Sequence, residues 1–251
     1  MKQFIILFKK DLMELYRTKR ILIISLIFIM FALLSPVIAK MTPELLGSMG
    51  NQIQISIPDA TVADSYGQFV KNMGQIGLFT LIIALGGSIV NERKKGLYTN
   101  LINNGVKKHN FILSKVISQV LIMTVIYVVS ALLFSTYNYV IFNQFTIAYS
   151  FLSFLLLYIY LVFVICMITF FSAISKSSVM SVMLGIVTVL GISIFDLFKF
   201  GKYMPNYLAT AASDIFSNNE CLNYIYQNIG ITLLLSVILV SAAIKLCNNK
   251  E

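Results

Sequence analysis

The sequence predicts an all-α integral membrane protein with six transmembrane helices, because its apolar residues form long uncharged runs. Of its 251 residues, 58% are hydrophobic and 12% are charged, and the mean hydropathy is +0.86. A soluble domain of this size carries about 25% charged residues. A helix needs roughly 20 apolar residues to cross the hydrocarbon core of a bilayer. The uncharged runs reach about this length or exceed it, and they cover residues 21–39, 72–91, 116–175, 177–195 and 221–244.

The longest run has room for two spans joined by a short turn, which we place near Asn138–Gln144. Helices are expected because the hydrocarbon offers no partner for unpaired backbone groups. A transmembrane β-barrel would instead alternate apolar and polar residues in segments of roughly ten, and the sequence lacks that pattern. We therefore predict an interfacial helix over residues 1–20 and a transmembrane domain over residues 21–251. Its spans are predicted at about 21–39, 69–91, 113–136, 149–174, 178–195 and 228–246.

The distribution of basic residues predicts that both termini are cytoplasmic. With the amino terminus inside, the outer segments hold only four of the 19 Lys and Arg residues, namely Lys40, Lys71, Lys199 and Lys202. Cytoplasmic loops of membrane proteins carry an excess of Lys and Arg. The net charge of +9 therefore follows from topology and gives no reason to expect a nucleic-acid partner.

A cleaved signal peptide is the alternative for the first run, but the basic region before it is long and no Ala-x-Ala-like site follows.

Residues 2–17 are predicted to form an amphipathic helix that lies along the inner leaflet. At about 100° per residue, one arc of this helix is apolar and the opposite arc is basic. Asp11 falls inside the apolar arc, where it can pair with a basic residue of another segment. A simple membrane anchor is the alternative role for the helix. The apolar arc consists of Phe4, Leu7, Phe8, Leu12 and Leu15, and the basic arc of Lys2, Lys9, Lys10 and Arg17.

A helix that begins in the outer segment is expected to run unbroken into the second span. Asp59 is the candidate N-cap of that helix, and an extended piece around Gln52–Ile57 precedes it. A second outer segment, residues 196–228, is rich in Tyr and Phe, and part of it is a candidate for a helix that dips into the outer leaflet.

Small residues recur at three-to-four spacing in the second and fifth predicted spans, which permits close approach of helices in a bilayer. Such a stripe is either a packing surface or a face toward a second subunit and a translocation path. The candidate residues for the path or the subunit face are Gly77, Thr80, Ala84, Ser181, Gly185 and Thr188.

The sequence lacks the residue patterns of the common catalytic and metal sites. Its single histidine, His109, lies in a predicted cytoplasmic loop, which excludes a His-x-x-x-His zinc site and an intramembrane Ser–His dyad. The only Gly-Lys pair, Gly201–Lys202, is followed by Tyr203 and not by the Ser or Thr of a nucleotide-binding loop. The three cysteines are expected to be unpaired thiols. We therefore expect no enzyme activity, no cofactor and no metal, and an intramembrane enzyme is a disfavoured alternative.

The loop after the second span, residues 92–110, contains the strongest candidate for a protein-binding element. Glu92 is expected at the start of a helix, where it can meet Lys95 or Gly96 one turn on. Asn104-Gly105 is expected to end this helix. An amphipathic helix of this kind either lies on lipid or docks in a groove of a partner, and the residue pattern alone favours neither. As one helix, residues 92–102 present an apolar face made of Leu97, Tyr98, Leu101 and Ile102.

Several short motifs resemble those of the bacterial ABC type-2 exporter permeases. These motifs are Pro58-Asp59-Ala60-Thr61, Tyr66-Gly67-Gln68-Phe69-Val70-Lys71-Asn72, Asn91-Glu92 with Gly96, and Lys115. The opening Phe8-Lys9-Lys10-Asp11-Leu12, followed by Arg17 and Arg20, is similar to the amino-terminal elbow helix of these proteins. The specific part covers residues 58–115, and the six-span plan covers the whole chain. The sequence departs from the family pattern at Leu97, where Thr is common, and at Gly105, where proline is common.

The resemblance implies a coupling helix at about residues 92–102 that sits in a cleft of a separate ABC ATPase subunit. It also implies two permease subunits per transporter, as a homodimer or a heterodimer, in a bacterial plasma membrane. Spans two and five then line the route between the subunits, and the elbow helix contacts the bilayer through Phe4, Phe8 and Leu12. The expected ATPase-coupling surface consists of Glu92, Arg93, Lys94, Gly96, Leu97, Leu101 and Ile102.

These observations favour the membrane subunit of an ATP-driven exporter that performs no bond chemistry itself. The predicted spans carry no charge near their middle, which suits an amphipathic or hydrophobic cargo such as a peptide, a lipid or a drug. The same feature disfavours an ion-coupled carrier. The alternative is a membrane sensor or scaffold that holds a cytoplasmic regulatory partner without transport.

Overall fold

The computed structural model describes residues 2–49, 59–143, 149–195, 201–216 and 222–248. Within these ranges the chain is helical and contains no β-strand. Six helical stretches are long and apolar enough to cross a membrane, which confirms the predicted fold class. These candidate spans are Arg20–Leu45, Val62–Lys94, Lys108–Phe142, Ser150–Ile174, Ser178–Phe195 and Tyr224–Cys247.

The described residues form a series of α-helices, numbered in chain order, with a π-helical turn at Met73–Gly77 and a 3-10 turn at Gly201–Tyr203. The helices are α1 (Lys2–Arg17), α2 (Arg20–Met49), α3 (Val62–Asn72), α4 (Leu78–Leu85), α5 (Ser88–Lys94), α6 (Leu97–Asn103), α7 (Lys108–Phe142), α8 (Ser150–Ile174), α9 (Ser178–Phe195), α10 (Tyr207–Asp214) and α11 (Leu222–Asn248). The end of the bundle that carries α1, α6 and the first turn of α7 is called the α6 end below. The opposite end carries α10 and is called the α10 end.

The helix that starts at Val62 continues into the second span, as predicted, but the span itself is not one regular α-helix. The span consists of α3, the π-helical turn, α4 and α5, and the helix is interrupted at Gly86–Gly87. Glycine has the lowest helix propensity after proline, so two in a row weaken the helix. The fold also requires glycine here, because a Cβ at Gly86 would lie 2.5 Å from Val182 Cγ2 of α9.

The start of α3 is stabilised by a capping box, which satisfies backbone donors that a helix start leaves unpaired. The hydroxyl of Thr61 accepts a hydrogen bond from the backbone N–H of Asp64 at 3.3 Å. In return, the carboxylate of Asp64 accepts one from the backbone N–H of Thr61 at 2.8 Å. The N-cap is therefore Thr61, and the prediction that Asp59 caps this helix is wrong.

The first, second, third and sixth spans extend further than predicted, and α2 and α7 show the largest extensions. The first, α2, continues to Met49 with Pro36 and Pro43 in its interior. The other, α7, continues to Phe142 and is capped by Asn143 in a left-handed conformation, so the following turn starts after Asn138. Some predicted features fall outside the described residues, namely the extended piece at Gln52–Ile57, Pro58, the end of the turn at Gln144, and Cys221.

Helix α8 lies in the middle of the bundle and packs against α4, α7, α9, α10 and α11. At the α10 end, aromatic rings join α3 to α7 and α8. The ring centroids of Phe69 and Phe134 lie 4.5 Å apart, and those of Phe69 and Phe154 lie 5.6 Å apart. The candidate spans formed by α9 and α11 have the smallest buried share, so these helices provide much of the outer surface.

The small residues of spans two and five serve close packing within the chain. A Cβ at Gly77 would lie 3.0 Å from the ring of Phe28, and one at Gly185 would lie 3.0 Å from Ile82 Cγ2. Ser181 is fully buried. The expectation that Gly77, Ser181 and Gly185 line an open path is therefore wrong for this structure. The partly exposed members of the predicted set are Thr80, Ala84 and Thr188.

Gly185→Ala is expected to be less stable than the matched variant Gly191→Ala on the same helix. The new methyl group at position 185 would lie 2.9 Å from Ile168 Cδ1 and 3.0 Å from Ile82 Cγ2. Overpacking of this kind costs about 1–3 kcal/mol. A methyl group at Gly191 meets nothing within 4 Å and gains helix propensity. Thermal unfolding of the purified variants in detergent measures the difference, and equal midpoints would contradict the packing argument.

Candidate functional site

A buried ion cluster joins α1, α5 and α7 at the α6 end. Asp11 lies on the face of α1 that packs against the bundle, between the buried Leu7 and Leu15. Its partner from another segment is Lys115 of α7, whose Nζ lies 3.0 Å from Asp11 Oδ1. Asp11 is 0% exposed and Lys115 is 2% exposed. This ion pair is therefore almost completely inaccessible to solvent.

Lys115 binds three carboxylates at once. Its Nζ lies 2.6 Å from Glu92 Oε1 of α5 and 2.7 Å from Glu14 Oε2 of α1, in addition to Asp11. An ammonium group has three N–H donors, so each donor has one carboxylate partner. One lysine thus connects the amino-terminal helix, the end of the second span and the start of the third.

Lys10 and Ser114 complete the cluster. Lys10 Nζ donates to both carboxylate oxygens of Glu92, at 2.8 and 2.9 Å. The hydroxyl of Ser114 donates to Asp11 Oδ2 at 2.7 Å. These contacts matter because a buried carboxylate without hydrogen-bond partners is strongly destabilising.

Glu14 lies at the more exposed edge of the cluster, where Arg20 Nη1 is 4.0 Å from its Oε1. Burial alone would raise the pKa of Glu14. The positive charges of Lys115 and Arg20 outweigh burial, so the pKa of Glu14 lies below its ordinary value. With Lys10, Lys115 and Arg20 facing three carboxylates, the cluster is close to electrically neutral.

The carboxylates of Asp11, Glu14 and Glu92 also have the spacing of a metal site, since one oxygen from each lies within 4.8 Å of the others. Lys115 Nζ contacts an oxygen of all three carboxylates. The ammonium therefore occupies the position that a cation would take. The arrangement is a network of buried ion pairs in which lysine replaces a metal ion.

Glu92 has a different role from the one predicted from the sequence. It is 3% exposed, and its carboxylate is bound by Lys10 and Lys115. The predictions that it meets Lys95 and that it belongs to an exposed coupling surface are therefore wrong. Sequence reasoning missed these contacts because the two partners are 82 and 23 residues away. The position of Asp11 in an apolar arc was the signal in the sequence that pointed to such a cluster.

The loop after α5 is not one helix over residues 92–102, contrary to the prediction. Helix α5 ends at Lys94, and Gly96 has φ +69°, a left-handed conformation that commonly ends helices. The chain then starts again as α6. Gly105, with φ +79°, follows the end of α6 at the predicted break.

Helix α6 is attached to the bundle by one face. The ring of Tyr98 lies 5.1 Å from that of Phe111, and its hydroxyl donates to the carbonyl oxygen of Cys247 at 3.3 Å. Leu101 packs into the same apolar cluster. Leu97, in contrast, is 46% exposed although it is apolar. Of the apolar face that the sequence predicted, Tyr98 and Leu101 hold α6 in place and Leu97 is open to a partner.

The exposed part of this loop combines positive charge with one apolar side chain. Arg93 is partly buried, and its guanidinium donates to the carbonyl oxygen of Ala173 at the end of α8. Ile102 is also partly buried. Four of the exposed residues, called the loop surface below, are Lys94, Lys95, Leu97 and Asn100.

Helix α1 turns one face to the bundle and exposes a second set of apolar residues. The rings of Phe4 and Phe8 are stacked with centroids 6.3 Å apart, and both residues are half-buried, as is Leu12. The sequence predicts a single apolar arc on α1. Because Asp11 packs against α7, part of that arc lies in the protein interior. The exposed apolar residues, which are available to lipid, are Ile5, Ile6, Met13 and Tyr16.

The fold and the site define a multi-pass membrane protein in which an exposed basic loop is tied by buried ion pairs to an amphipathic amino-terminal helix. The family model described as ABC-2 family transporter protein matches residues 12–193, which is most of the chain and includes the loop surface and Lys115. A search of curated proteins found no match. The chain belongs to the ABC-2 transporter family and is a membrane permease component of such a transporter.

Proposed function

We propose that this chain is the transmembrane subunit of an ATP-driven exporter that works with a separate ABC ATPase. Membership of the ABC-2 family supports this class of partner. The distribution of basic residues supports an orientation in which both termini and the α6 end face the cytoplasm of a bacterial cell. A second permease subunit, identical or not, completes the transporter.

The observation that carries the proposal is the connection between the loop surface and the buried ion cluster. Helix α5 bears Glu92 in its last turn and leads through Gly96 directly into α6. Glu92 is bound to Lys10 of α1 and Lys115 of α7. A displacement of α5 must therefore move α1 and α7 with it or break buried ion pairs. Movement imposed at the loop surface is passed on through this contiguous network to three helices.

The interruption at Gly86–Gly87 provides a hinge that lets α5 move relative to α4. Beyond the hinge, α5 is bound to α8 and to the start of α9. The hydroxyl of Ser172 accepts a hydrogen bond from the backbone N–H of Ile89 at 3.0 Å. The hydroxyl of Ser178 donates to Asn91 Oδ1 at 2.6 Å. Movement of α5 therefore also acts on the fourth and fifth spans.

The loop surface is the proposed contact with the ATPase. Lys94 and Leu97 of the predicted coupling residues lie in this surface, and Gly96 sets the direction in which α6 leaves α5. Three other predicted coupling residues, Arg93, Leu101 and Ile102, are partly buried and support the loop from inside. An exposed leucine that follows two exposed lysines suits a partner cleft with an apolar floor and an acidic rim.

The proposed cargo is amphipathic or hydrophobic, such as a peptide, a lipid or a drug. This proposal is supported by the absence of Asp, Glu, Lys and Arg from residues 21–39, 72–91, 116–142, 149–174 and 178–195 within the described spans. Ionisable residues inside a membrane commonly mark pathways for ions and charged substrates. The central parts of these spans offer no such group to a charged cargo.

Leu97→Asp tests the loop surface, with Leu97→Met as the matched control. Because Leu97 is exposed, neither change should disturb the fold. We expect Leu97→Asp to recover about tenfold less ATPase by affinity purification from cells that express both subunits, since loss of an apolar anchor weakens an interface by about 1–2 kcal/mol. Leu97→Met should recover the ATPase as wild type does.

Undiminished recovery of the ATPase with Leu97→Asp would show that α6 is not the docking element. A second measurement, on the wild-type protein, distinguishes an exporter subunit from the alternative function. If the ATPase binds but its hydrolysis rate does not change on reconstitution with the permease, the chain acts as a membrane sensor or scaffold and not as an exporter subunit.

A further inference from the structure

A cavity of about 520 Å³ lies at the α10 end, far from the ion cluster. Its walls come from α3, the π-helical turn, α4, α8, α9 and α10. Ligand pockets in proteins commonly measure roughly 300–1,000 Å³, so this volume is sufficient for a small molecule. The residues of the cavity belong to one chain, and no second subunit is needed to form it.

Leu78 and Val189 in the lining are buried and form its inner wall, whereas Lys71 and Gln75 are exposed and form its rim. Leu78, Val189 and Leu190 are among the apolar lining residues. The rim contains Lys71 and Gln75 one turn apart. Among the described residues, no carboxylate pairs with Lys71 and no side chain bonds to Gln75. The cavity therefore combines an apolar interior with one positive charge and one amide that both have capacity for a ligand.

The π-helical turn contributes directly to this cavity. Both Gly74 and Gln75 belong to the turn and line the cavity. π-Helical turns inside α-helices occur frequently at functional sites, because the additional residue displaces the helix wall. Gly67, one turn before Lys71, has nothing within 4 Å of the position of its missing Cβ. Glycine at this position leaves the cavity open where a larger side chain would fill it.

Lys71 is the charged residue of the lining, and this gives the cavity a preference for an anion. The nearby Ser213 also lines the cavity, but its hydroxyl donates to Asp214 Oδ1 at 3.0 Å and is already engaged. The ammonium of Lys71 and the amide of Gln75 are two donors available to a head group. An apolar chain can lie along the buried Leu78 and Val189.

We propose that this cavity binds a single-chain amphiphile with an anionic head group, which Lys71 and Gln75 hold at the rim while the chain occupies the apolar interior. The shared chemistry is a carboxylate or a phosphate on an alkyl chain. The proposal concerns binding by this chain alone. It does not depend on the ATPase or on transport, so its failure is distinguishable from failure of the proposed function.

The test is equilibrium binding of labelled decanoate, decyl phosphate and decanol to the full chain in nanodiscs, with empty nanodiscs subtracted. At least one anionic probe is expected to bind about tenfold tighter than decanol, because decanol lacks the charge that Lys71 recognises. The comparison of decanoate with decyl phosphate identifies the preferred head group. Equal affinity for all three probes would overturn the proposal.

Three variants locate the binding site. Lys71→Gln should remove the preference for anions and leave decanol binding unchanged. Gly67→Leu should weaken binding of all three probes, because the leucine side chain enters the cavity. Gly191→Leu is the matched control, since Gly191 also has nothing within 4 Å of its Cβ position but does not line the cavity. Unchanged anion binding in Lys71→Gln, or equal effects of the two leucine variants, would show that the probes bind elsewhere.

Discussion

The Lys115→Met variant is expected to lose about 3–5 kcal/mol in free energy of unfolding, because removal of one partner leaves buried charges without compensation. Methionine occupies similar space but has no charge and no N–H donor. Asp11 would lose the ammonium at 3.0 Å, and Glu92 would lose the one at 2.6 Å. Thermal or denaturant unfolding of the purified protein in detergent measures the loss, and the amount of protein recovered from membranes should fall with it.

Lys107→Met is the matched control, because Lys107 is exposed immediately before α7. Its stability should stay within about 0.5 kcal/mol of wild type. A triple variant that combines Lys115→Met with Asp11→Asn and Glu92→Gln should recover part of the loss, since replacing a whole buried network costs less than breaking it. A Lys115→Met protein as stable as wild type would show that the cluster contributes nothing to the fold.

Gly96→Pro is expected to abolish the stimulation of the partner ATPase while the six-span bundle stays folded. Proline requires φ near −65°, whereas Gly96 has φ +69°. Proline also removes the hydrogen bond from the backbone N–H of Gly96 to the carbonyl oxygen of Arg93 at 3.0 Å. Forcing an unsuitable residue into this conformation costs about 1–3 kcal/mol, so the turn rearranges and α6 changes its direction. The measurement is the ATP hydrolysis rate of the reconstituted complex.

Gly96→Asn is the control for this experiment, because asparagine tolerates the left-handed conformation better than other residues with a Cβ. It should keep most of the stimulation. Thermal unfolding of both variants separates a local change in the loop from loss of the fold. Full stimulation by Gly96→Pro would mean that the direction of α6 is irrelevant to the ATPase.

The extent to which the site could be predicted differs from residue to residue. Leu97 and Gly96 were predicted to belong to a partner-binding loop, because a short amphipathic segment between two spans is visible locally, and this stays a prediction. The assignment of Glu92 to that surface was wrong, since its burial depends on Lys10 and Lys115. The cavity at the α10 end was not predicted, because its lining combines residues of α3 with residues of α9 and α10.

The amino-acid sequence by itself determined the number of spans, because each span must satisfy its backbone within the lipid and therefore shows as a separate apolar run. It also determined the amphipathic character of α1 and the positive charge of the loop after the second span, which are properties of consecutive residues. Only the tertiary structure decided that Asp11, Glu14 and Glu92 converge on Lys115, since these pairs are 104, 101 and 23 residues apart. The close approach of α9 to Gly86, which leaves no room for a Cβ, was likewise visible only in the tertiary structure. Contacts between distant segments depend on how helices pack, and a local pattern of residues does not contain that information.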